Sequence, residues 1–152
     1  MGCSEAGYIA IIMGSPERRF QRFIEFLVEF VRELNDLSRD GAVVLVEGKR
    51  DAAALVGLGY AGEIVTSSTL TSGSPTIRRA RRIIILTDLD SEGRRLAARY
   101  IRLFSRMEVP TTLAARRRLS RASRGKFLHI ENLIRFAPLP LEVDTIREES
   151  VP

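Results

Sequence analysis

Three carboxylates follow two apolar runs of the sequence, and these are the residues best suited to chemistry. The run AVVLV leads into Glu47, and the run IIILT leads into Asp88 and Asp90. Asp88 and Asp90 are two residues apart, so in an extended chain both side chains point to one face, with Cα atoms about 6.5–7 Å apart. If the two runs are neighbouring strands, Glu47 joins the pair. Three converging carboxylates repel one another unless a hard cation such as Mg²⁺, which prefers oxygen ligands, lies between them.

A metal ion held in this way could orient a phosphodiester and stabilise charge on its oxygens. Gly48 and Gly93 follow the acids and leave room for a close backbone approach. The pair Asp90-Ser91 lies where the next predicted helix begins, and a helix N-terminus favours phosphate. Lys49 and Arg50 either contact substrate phosphates or are ordinary surface charge, and Asp51 is either an outer metal ligand or, by a small preference, a helix cap.

The charge of the chain is distributed unevenly. It carries 24 Lys and Arg against 19 Asp and Glu, a net charge of +5. Residues 75–126 contain 15 basic and 4 acidic residues, a local charge of +11, whereas the rest of the chain has a net charge of −6. One strongly positive face is typical of proteins that bind polyanions, although a solvated arginine surface has the same composition. The cations assigned to phosphate binding, beside Lys49 and Arg50, are Arg94, Arg116, Arg117, Arg118, Arg121, Arg124 and Lys126.

The composition excludes several classes of site. One cysteine, Cys3, cannot form an intramolecular disulfide or a cysteine metal cluster, and one histidine, His129, excludes a zinc site built on paired histidines. We interpret His129 as a structural or surface residue. The hydroxyl-rich residues 67–74 are interpreted as a polar loop rather than a phosphate cradle. No apolar run approaches the roughly 18 residues of a membrane span, so we expect a cytoplasmic protein without a membrane partner.

Alternating strands and helices must position these groups. An apolar stripe at three- and four-residue spacing predicts an amphipathic helix over residues 16–38, which packs on the sheet of its own domain or, less favoured, on a second copy. The alternation predicts an open, mostly parallel sheet. The predicted strands are 42–46, 63–66, 83–87 and 109–114; the predicted helices are 50–58 and 91–107, with helical turns at 76–82 and 128–136. Residues 116–126 are expected to be irregular.

These motifs resemble those of the Toprim family. VVLVEGKRDAAAL is similar to its first motif and IIILTDLDSEGRRLA to its second, in the DxDxEG form of type IA topoisomerases, over about residues 42–115. The EGKRD string and the small size most resemble the small ribonucleases that mature ribosomal RNA and the short archaeal stand-alone Toprim proteins. The resemblance implies a Rossmann-like α/β fold of about four mostly parallel strands, with an extra N-terminal helix here. The domains expected are 1–40, with the helix; 41–137, the Toprim domain; and 138–152, a tail.

The resemblance also implies a function. It assigns Mg²⁺, with Mn²⁺ as a substitute, to Glu47, Asp88 and Asp90, and gives Glu47 general acid/base work. Strand passage is not expected, because topoisomerases use a tyrosine from a separate domain and Tyr100 falls on an inward stripe. The leading hypothesis is a metal-dependent nuclease acting on structured RNA or DNA. The alternatives are a non-catalytic nucleic-acid-binding or assembly module that uses the acidic site for phosphate or metal binding, and a nucleotide-binding regulator. A homodimer or a larger complex is left open.

Overall fold

The computed structural model describes residues 15–70 and 74–140 of the chain. In these two ranges the strands are β1 (Ala42–Val46), β2 (Ile64–Thr66), β3 (Arg82–Ile85) and β4 (Thr111–Thr112). The α-helices are α1 (Pro16–Arg39), α2 (Lys49–Gly57), α3 (Pro75–Arg79), α4 (Ser91–Arg106) and α5 (Ala114–Ser123), and shorter 3₁₀ helices cover Ser67–Thr69 and Ile130–Phe136. Part of the predicted loop at 67–74 and most of the predicted tail lie outside the described residues.

The four strands form one parallel sheet in the order β2-β1-β3-β4. β1 is central, and its Val44 pairs with Ile64 on one side and Ile84 on the other. Because β1 and β3 are parallel neighbours, the residues that follow them emerge at the same edge of the sheet. This confirms the predicted α/β architecture and brings Glu47 close to Asp88 and Asp90.

Both faces of the sheet are covered, which explains the continuous apolar runs of β1 and β3. One core contains Val44, Val46 and Ile84 and is packed against α1, α2, α5 and the 3₁₀ helix Ile130–Phe136. The opposite core contains Val43 and Leu45 and is packed against α3 and α4. The edge of the sheet that carries Glu47, Asp88 and Asp90 therefore belongs to strands that are buried on both faces.

The N-terminal helix α1 forms as the periodicity predicts. Ser15 caps it by accepting a hydrogen bond from the Arg18 N–H at 3.2 Å, and Pro16 occupies the first turn. Its buried residues join the core on the first face of the sheet; they are Leu27, Phe30, Val31 and Leu34. The favoured interpretation of the stripe, packing on the domain's own sheet, is confirmed for Leu27, Val31 and Leu34, whereas Phe20 is exposed.

The C-terminal part of the sequence differs from the prediction in two places. Most of the segment 116–126, expected to be irregular, belongs to α5, which buries Ala115, Leu119 and Ser123 at four-residue spacing. Of these, only Leu119 is a large apolar residue, so the sequence, which is rich in arginine here, does not show the apolar periodicity of a helix. The fourth strand is limited to Thr111–Thr112, because α5 begins at Ala114 and ends the extended segment.

Candidate metal centre

Asp88 is held from several directions at the carboxyl edge of β3. Its carboxylate Oδ1 accepts a hydrogen bond from the Ile130 N–H at 2.8 Å, and its own N–H donates to Glu47 Oε1 at 3.1 Å. Its carbonyl oxygen accepts a hydrogen bond from Arg116 Nη2 at 2.6 Å. The next residue, Leu89, donates its N–H to the carbonyl of Leu128 at 2.6 Å. Contacts from distant parts of the chain thus fix the orientation of this acid.

Asp90 serves as the N-cap of α4. Its Oδ1 accepts a hydrogen bond from the Gly93 N–H at 2.7 Å, which satisfies one of the free donors of the first turn. Asp90 Oδ2 remains directed towards the neighbouring ring of His129, whose Nδ1 lies 3.9 Å away. One carboxylate therefore caps a helix with one oxygen and presents the other to the site.

Gly93 allows α4 to pack directly on the loop that carries Asp88. A Cβ at position 93 would lie 1.8 Å from the carbonyl oxygen of Asp88, far inside contact distance. The same turn is tied from the other side, because Thr87 Oγ1 donates to the carbonyl of Gly93 at 2.7 Å. The space left by this glycine is filled by the chain itself. The Asp-x-Asp-x-x-Gly spacing thus has a steric reason.

Glu47 is half-buried beside the two aspartates. Burial raises the pKa of its carboxyl; the N–H of Asp88 acts in the opposite direction, and the negative charges of Asp88, Asp51 and Asp90 raise the pKa further. The hydrogen bond to Asp88 shows that the carboxyl ends of β1 and β3 meet as predicted. Glu47 lies outside the group of side chains whose ligand atoms converge most closely.

Asp51 acts as a helix cap, the favoured of its two interpretations. Its buried carboxylate accepts a hydrogen bond from the Gly48 N–H at 3.0 Å, across the first turn of α2. Burial raises the pKa of Asp51, and the charge of Asp88 adds to this effect. Gly48 itself is extended, and a Cβ there would meet only Asp51 Oδ2, at 3.9 Å.

His129 is the site residue that sequence reasoning missed. Its Nδ1 lies 3.2 Å from Asp88 Oδ2, and this hydrogen bond raises the pKa of the imidazole. The interpretation as a merely structural or surface histidine is incomplete: the side chain is half exposed, yet it faces both aspartates. No spacing rule could have found it, because it lies about 40 residues from Asp88 and is positioned by the buried neighbours Ile130 and Leu133.

Asp88, Asp90 and His129 form a group of side chains that could hold a metal ion, called the metal cluster below. Each offers one ligand atom, and the three atoms lie within 4.8 Å of one another. Two carboxylates and one imidazole suit a divalent cation, with carboxylates favouring Mg²⁺ or Mn²⁺ and the imidazole favouring transition metals. The donor set therefore fits a bound divalent ion.

Arg116 stabilises the loop of the acids by hydrogen bonds to its backbone. Its Nε donates to the carbonyl of Thr87 at 3.3 Å and its Nη2 to that of Asp88. Burial lowers the pKa of this guanidinium, the neighbouring charge of Arg94 lowers it further, and the acids act in the opposite direction. Arg116 was predicted to bind phosphate, but two of its nitrogen atoms donate hydrogen bonds to carbonyl groups of the chain itself.

The other predicted phosphate-binding cations fall into two groups. Lys49, Arg50, Arg94 and Arg117 are exposed on the helices that begin beside the acids. Arg118, Arg121, Arg124 and Lys126 lie further along, where α5 faces the N-terminal half of α1. Arg118 is also paired with Glu33 and lies over the ring of Phe26, 5.8 Å from its centroid.

Hydroxyl groups near the site are engaged within the fold. The Tyr100 hydroxyl donates to Ser67 Oγ, and Thr66 Oγ1 hydrogen bonds with Ser68 and Thr69. Tyr100 is buried, as the inward stripe of α4 predicted. None of these side chains is presented to the metal cluster as a nucleophile.

Comparison with known proteins agrees with the α/β fold and the acidic motifs described above. The Toprim domain model matches residues 42–123. The UPF0292 protein of Methanosarcina barkeri is 32% identical over 117 residues, covering 75% of this chain and 82% of the relative. The UPF0292 protein of Archaeoglobus fulgidus is 43% identical over 65 residues, covering 43% of this chain and 52% of the relative. A solved protein structure from Aquifex aeolicus superposes with a TM-score of 0.56 at 28% identity, covering 68% of this chain and 94% of that chain.

The match includes both acidic motifs and the structure around them. It extends from β1 to the end of α5 and contains Glu47, Asp88 and Asp90, while His129 lies beyond it. Toprim domains bind divalent metals and are associated with nucleic acid, in agreement with the acidic cluster. None of the helices that the structure describes is long and apolar enough to cross a membrane. The chain belongs to the Toprim domain family.

Proposed function

We propose that this protein is a divalent-metal-dependent nuclease that hydrolyses phosphodiester bonds in structured RNA or DNA. The observation that carries the proposal is the convergence of Glu47 and the metal cluster at one edge of the sheet. A purely structural edge has no need of three carboxylates held so close together, because their mutual repulsion opposes folding.

Asp88, Asp90 and His129 would hold the cation, with Mg²⁺ proposed as the physiological ion and Mn²⁺ as a substitute. A bound ion supplies Lewis-acid stabilisation of the phosphate oxygens. The fixed hydrogen bonds of Asp88 to Ile130, Glu47 and Arg116 support this role, because the ligand is oriented before the cation arrives. Glu47, the third carboxylate predicted as a metal ligand from the sequence, lies beside this cluster.

Glu47 would act as the general acid/base. In hydrolysis a water oxygen attacks phosphorus and the bond to the leaving oxygen breaks; the proton lost by the water passes to the carboxylate and then to the leaving oxygen. A group that exchanges a proton works best when its pKa lies near the operating pH. The raised pKa of Glu47, caused first by burial, moves it in that direction.

Cations around the edge would hold the nucleic acid. Gly48, Lys49 and Arg50 follow β1, and Gly93 and Arg94 follow β3, with the three charged side chains exposed at the start of their helices. Such contacts bind the sugar–phosphate backbone and carry no sequence information. We therefore expect recognition of structure rather than of base sequence.

The decisive experiment compares the wild-type protein with Glu47→Gln on labelled hairpin RNA and DNA. Cleavage should require Mg²⁺ or Mn²⁺, stop in EDTA and fall by at least about 100-fold in the variant, while binding stays within about twofold. Glutamine keeps an oxygen acceptor for the Asp88 N–H, so the fold should be preserved, as an unchanged melting temperature would show. Cleavage at the wild-type rate by Glu47→Gln would remove the acid/base role.

A non-catalytic nucleic-acid-binding or assembly module is the second candidate. The observation that favours it is the position of several predicted phosphate-binding cations away from the acids, along α5. This candidate predicts nucleic-acid binding without cleavage of any substrate by wild type, with the acidic site used only to bind phosphate or metal. The same assay therefore separates the two functions.

A further inference from the structure

A groove of about 670 Å³ lies between the N-terminal half of α1, the C-terminal half of α5 and the segment that follows α5. Its lining combines aromatic and basic side chains and, within residues 15–70 and 74–140, contains no acidic residue. It is separate from the metal cluster, none of whose residues line it. A groove of this size is within the range of about 300–1,000 Å³ typical of ligand sites.

Phenylalanine rings form the apolar part of the groove. They are in contact with one another: Phe23 lies 5.2 Å from Phe127 and 5.0 Å from Phe136 between ring centroids, and Phe20 lies 5.5 Å from Phe136. Phe20 is 54% exposed, which is unusual for a residue of this size. A contiguous apolar surface rimmed by polar side chains is typical of interaction sites.

Positive side chains surround these rings. Six cations of the lining are exposed, and none of them forms an ion pair with a described carboxylate. They are Arg19, Arg22, Arg121, Arg124, Lys126 and Arg135. Arg118, which does pair with Glu33, lies between them over Phe26. Cations without partners around flat apolar rings match the chemistry of a nucleotide chain, whose phosphates are negative and whose unpaired bases stack on aromatic rings.

We infer that this basic aromatic groove binds a single-stranded segment of nucleic acid, with bases against the phenylalanines and phosphates against the flanking cations. A duplex keeps its bases stacked within the helix and cannot offer them to the rings, so an unpaired strand fits better. The inference deepens the proposed function, on which it rests for the class of substrate.

The chain connects the groove to the metal cluster. Lys126 and Phe127 line the groove, and His129, two residues further on, contacts Asp88. The carbonyl of the intervening Leu128 is bound by the N–H of Leu89, in the loop of the acids. Two residues span at most about 7 Å. A strand seated in the groove is therefore directed towards the acids, so the preferred substrate has unpaired nucleotides next to its cleavage site.

Binding is tested in EDTA by fluorescence anisotropy, with short labelled single strands of RNA and DNA and their matching duplexes. The full-length protein should bind the single strands more tightly than the duplexes. Phe20→Leu should weaken single-strand binding by about 5- to 100-fold, whereas Phe20→Tyr, which keeps a ring, should bind like wild type. Melting temperatures should match for both variants, because the side chain is largely exposed.

A charge variant tests the second half of the inference. Arg121→Gln with Lys126→Gln should reduce the slope of log affinity against log salt by about 0.7 for each lost phosphate contact. Arg99→Gln with Arg102→Gln is the matched control, because both arginines are exposed on α4 and do not line the groove. Equal loss of affinity and slope in the two double variants would mean non-specific attraction and overturn the inference.

The outcomes separate this inference from the proposed nuclease. Single-strand binding that depends on Phe20, without cleavage of any substrate, would support the groove and refute the nuclease. Metal-dependent cleavage with single-strand affinity unchanged in Phe20→Leu and in Arg121→Gln with Lys126→Gln would do the reverse. That second result would also indicate another occupant of the groove, such as the acidic residues 142–149 of this chain.

Discussion

The metal cluster and the basic aromatic groove are built in opposite ways. Asp88 is fixed by hydrogen bonds from distant parts of the chain to its carboxylate, N–H and carbonyl, and Asp90 is fixed by the nearby Gly93 N–H. The groove is defined by how two helices pack, and its exposed cations form no ion pairs within the described residues. The first region is suited to holding a small ion in one geometry. The second is suited to a flexible ligand, because its long side chains can adjust.

The largest expected effect is that of Gly93→Ala on the metal cluster. The new Cβ would lie 1.8 Å from the Asp88 carbonyl, so α4 or the acid loop must move, at a cost of several kcal/mol, on the order of 3 or more. Thermal unfolding measures the loss. Gly48→Ala is the matched control, since its Cβ meets its nearest neighbour at an ordinary 3.9 Å. Similar melting temperatures for both variants would contradict the close packing described here.

The next effect concerns the cation itself. In wild type, Mg²⁺ or Mn²⁺ at 100 times its Kd should stabilise the folded state by about 2.7 kcal/mol and so raise the melting temperature. Asp88→Asn with Asp90→Asn should abolish this rise. Asparagine can still cap α4, and removal of two like charges should leave the metal-free protein at least as stable as wild type. Single-strand binding in EDTA should not change. A metal-induced shift that persists would place the ion elsewhere.

Arg116 and Arg117 sharpen the contrast between bracing and binding. Arg116→Ala leaves the carbonyls of Thr87 and Asp88 without their donor and should destabilise the fold by about 2 kcal/mol. Exposed Arg117, replaced by Ala, should leave stability unchanged and, if it contacts phosphate, lower the salt slope by about 0.7–0.9. Chemical denaturation and salt titrations measure both. Equal stabilities would return Arg116 to the class of substrate-binding cations.

The smallest effect expected here is that of His129→Ala on metal affinity. If the imidazole is a ligand, the variant should bind Mn²⁺ about tenfold more weakly and lose less affinity for Mg²⁺, which prefers oxygen ligands. Isothermal titration calorimetry at neutral pH measures both affinities. Tighter binding by the variant would show instead that the ring competes with the cation as a positive charge beside Asp88.

The sequence predicted the acidic edge well because its causes are local. Apolar strands, the acids directly after them and the glycine of the second motif all lie within short segments, and the parallel pairing of β1 with β3 brings those segments together. His129 could not be predicted in this way. Its position depends on the burial of Ile130 and Leu133 against the first core, a contact between residues far apart in the chain.

The groove was harder to predict for a different reason. Its arginines were recognised as a cluster, but α5 was expected to be irregular because only Leu119 is a large apolar residue on its buried face. Without that helix, the relation between the cations and the phenylalanines of α1 is not visible. The phenylalanine stripe alone indicates core packing, which is correct for Phe30 but not for the exposed Phe20.

The short outer strands of the sheet also affect how the protein behaves at high concentration. β2 has three residues and β4 has two, so each border of the sheet offers few unpaired N–H and C=O groups to another chain. Long, flat borders are the usual starting point for aggregation by strand pairing. We expect concentrated solutions of this protein to resist that route to fibrils, and any self-association to involve helical surfaces instead.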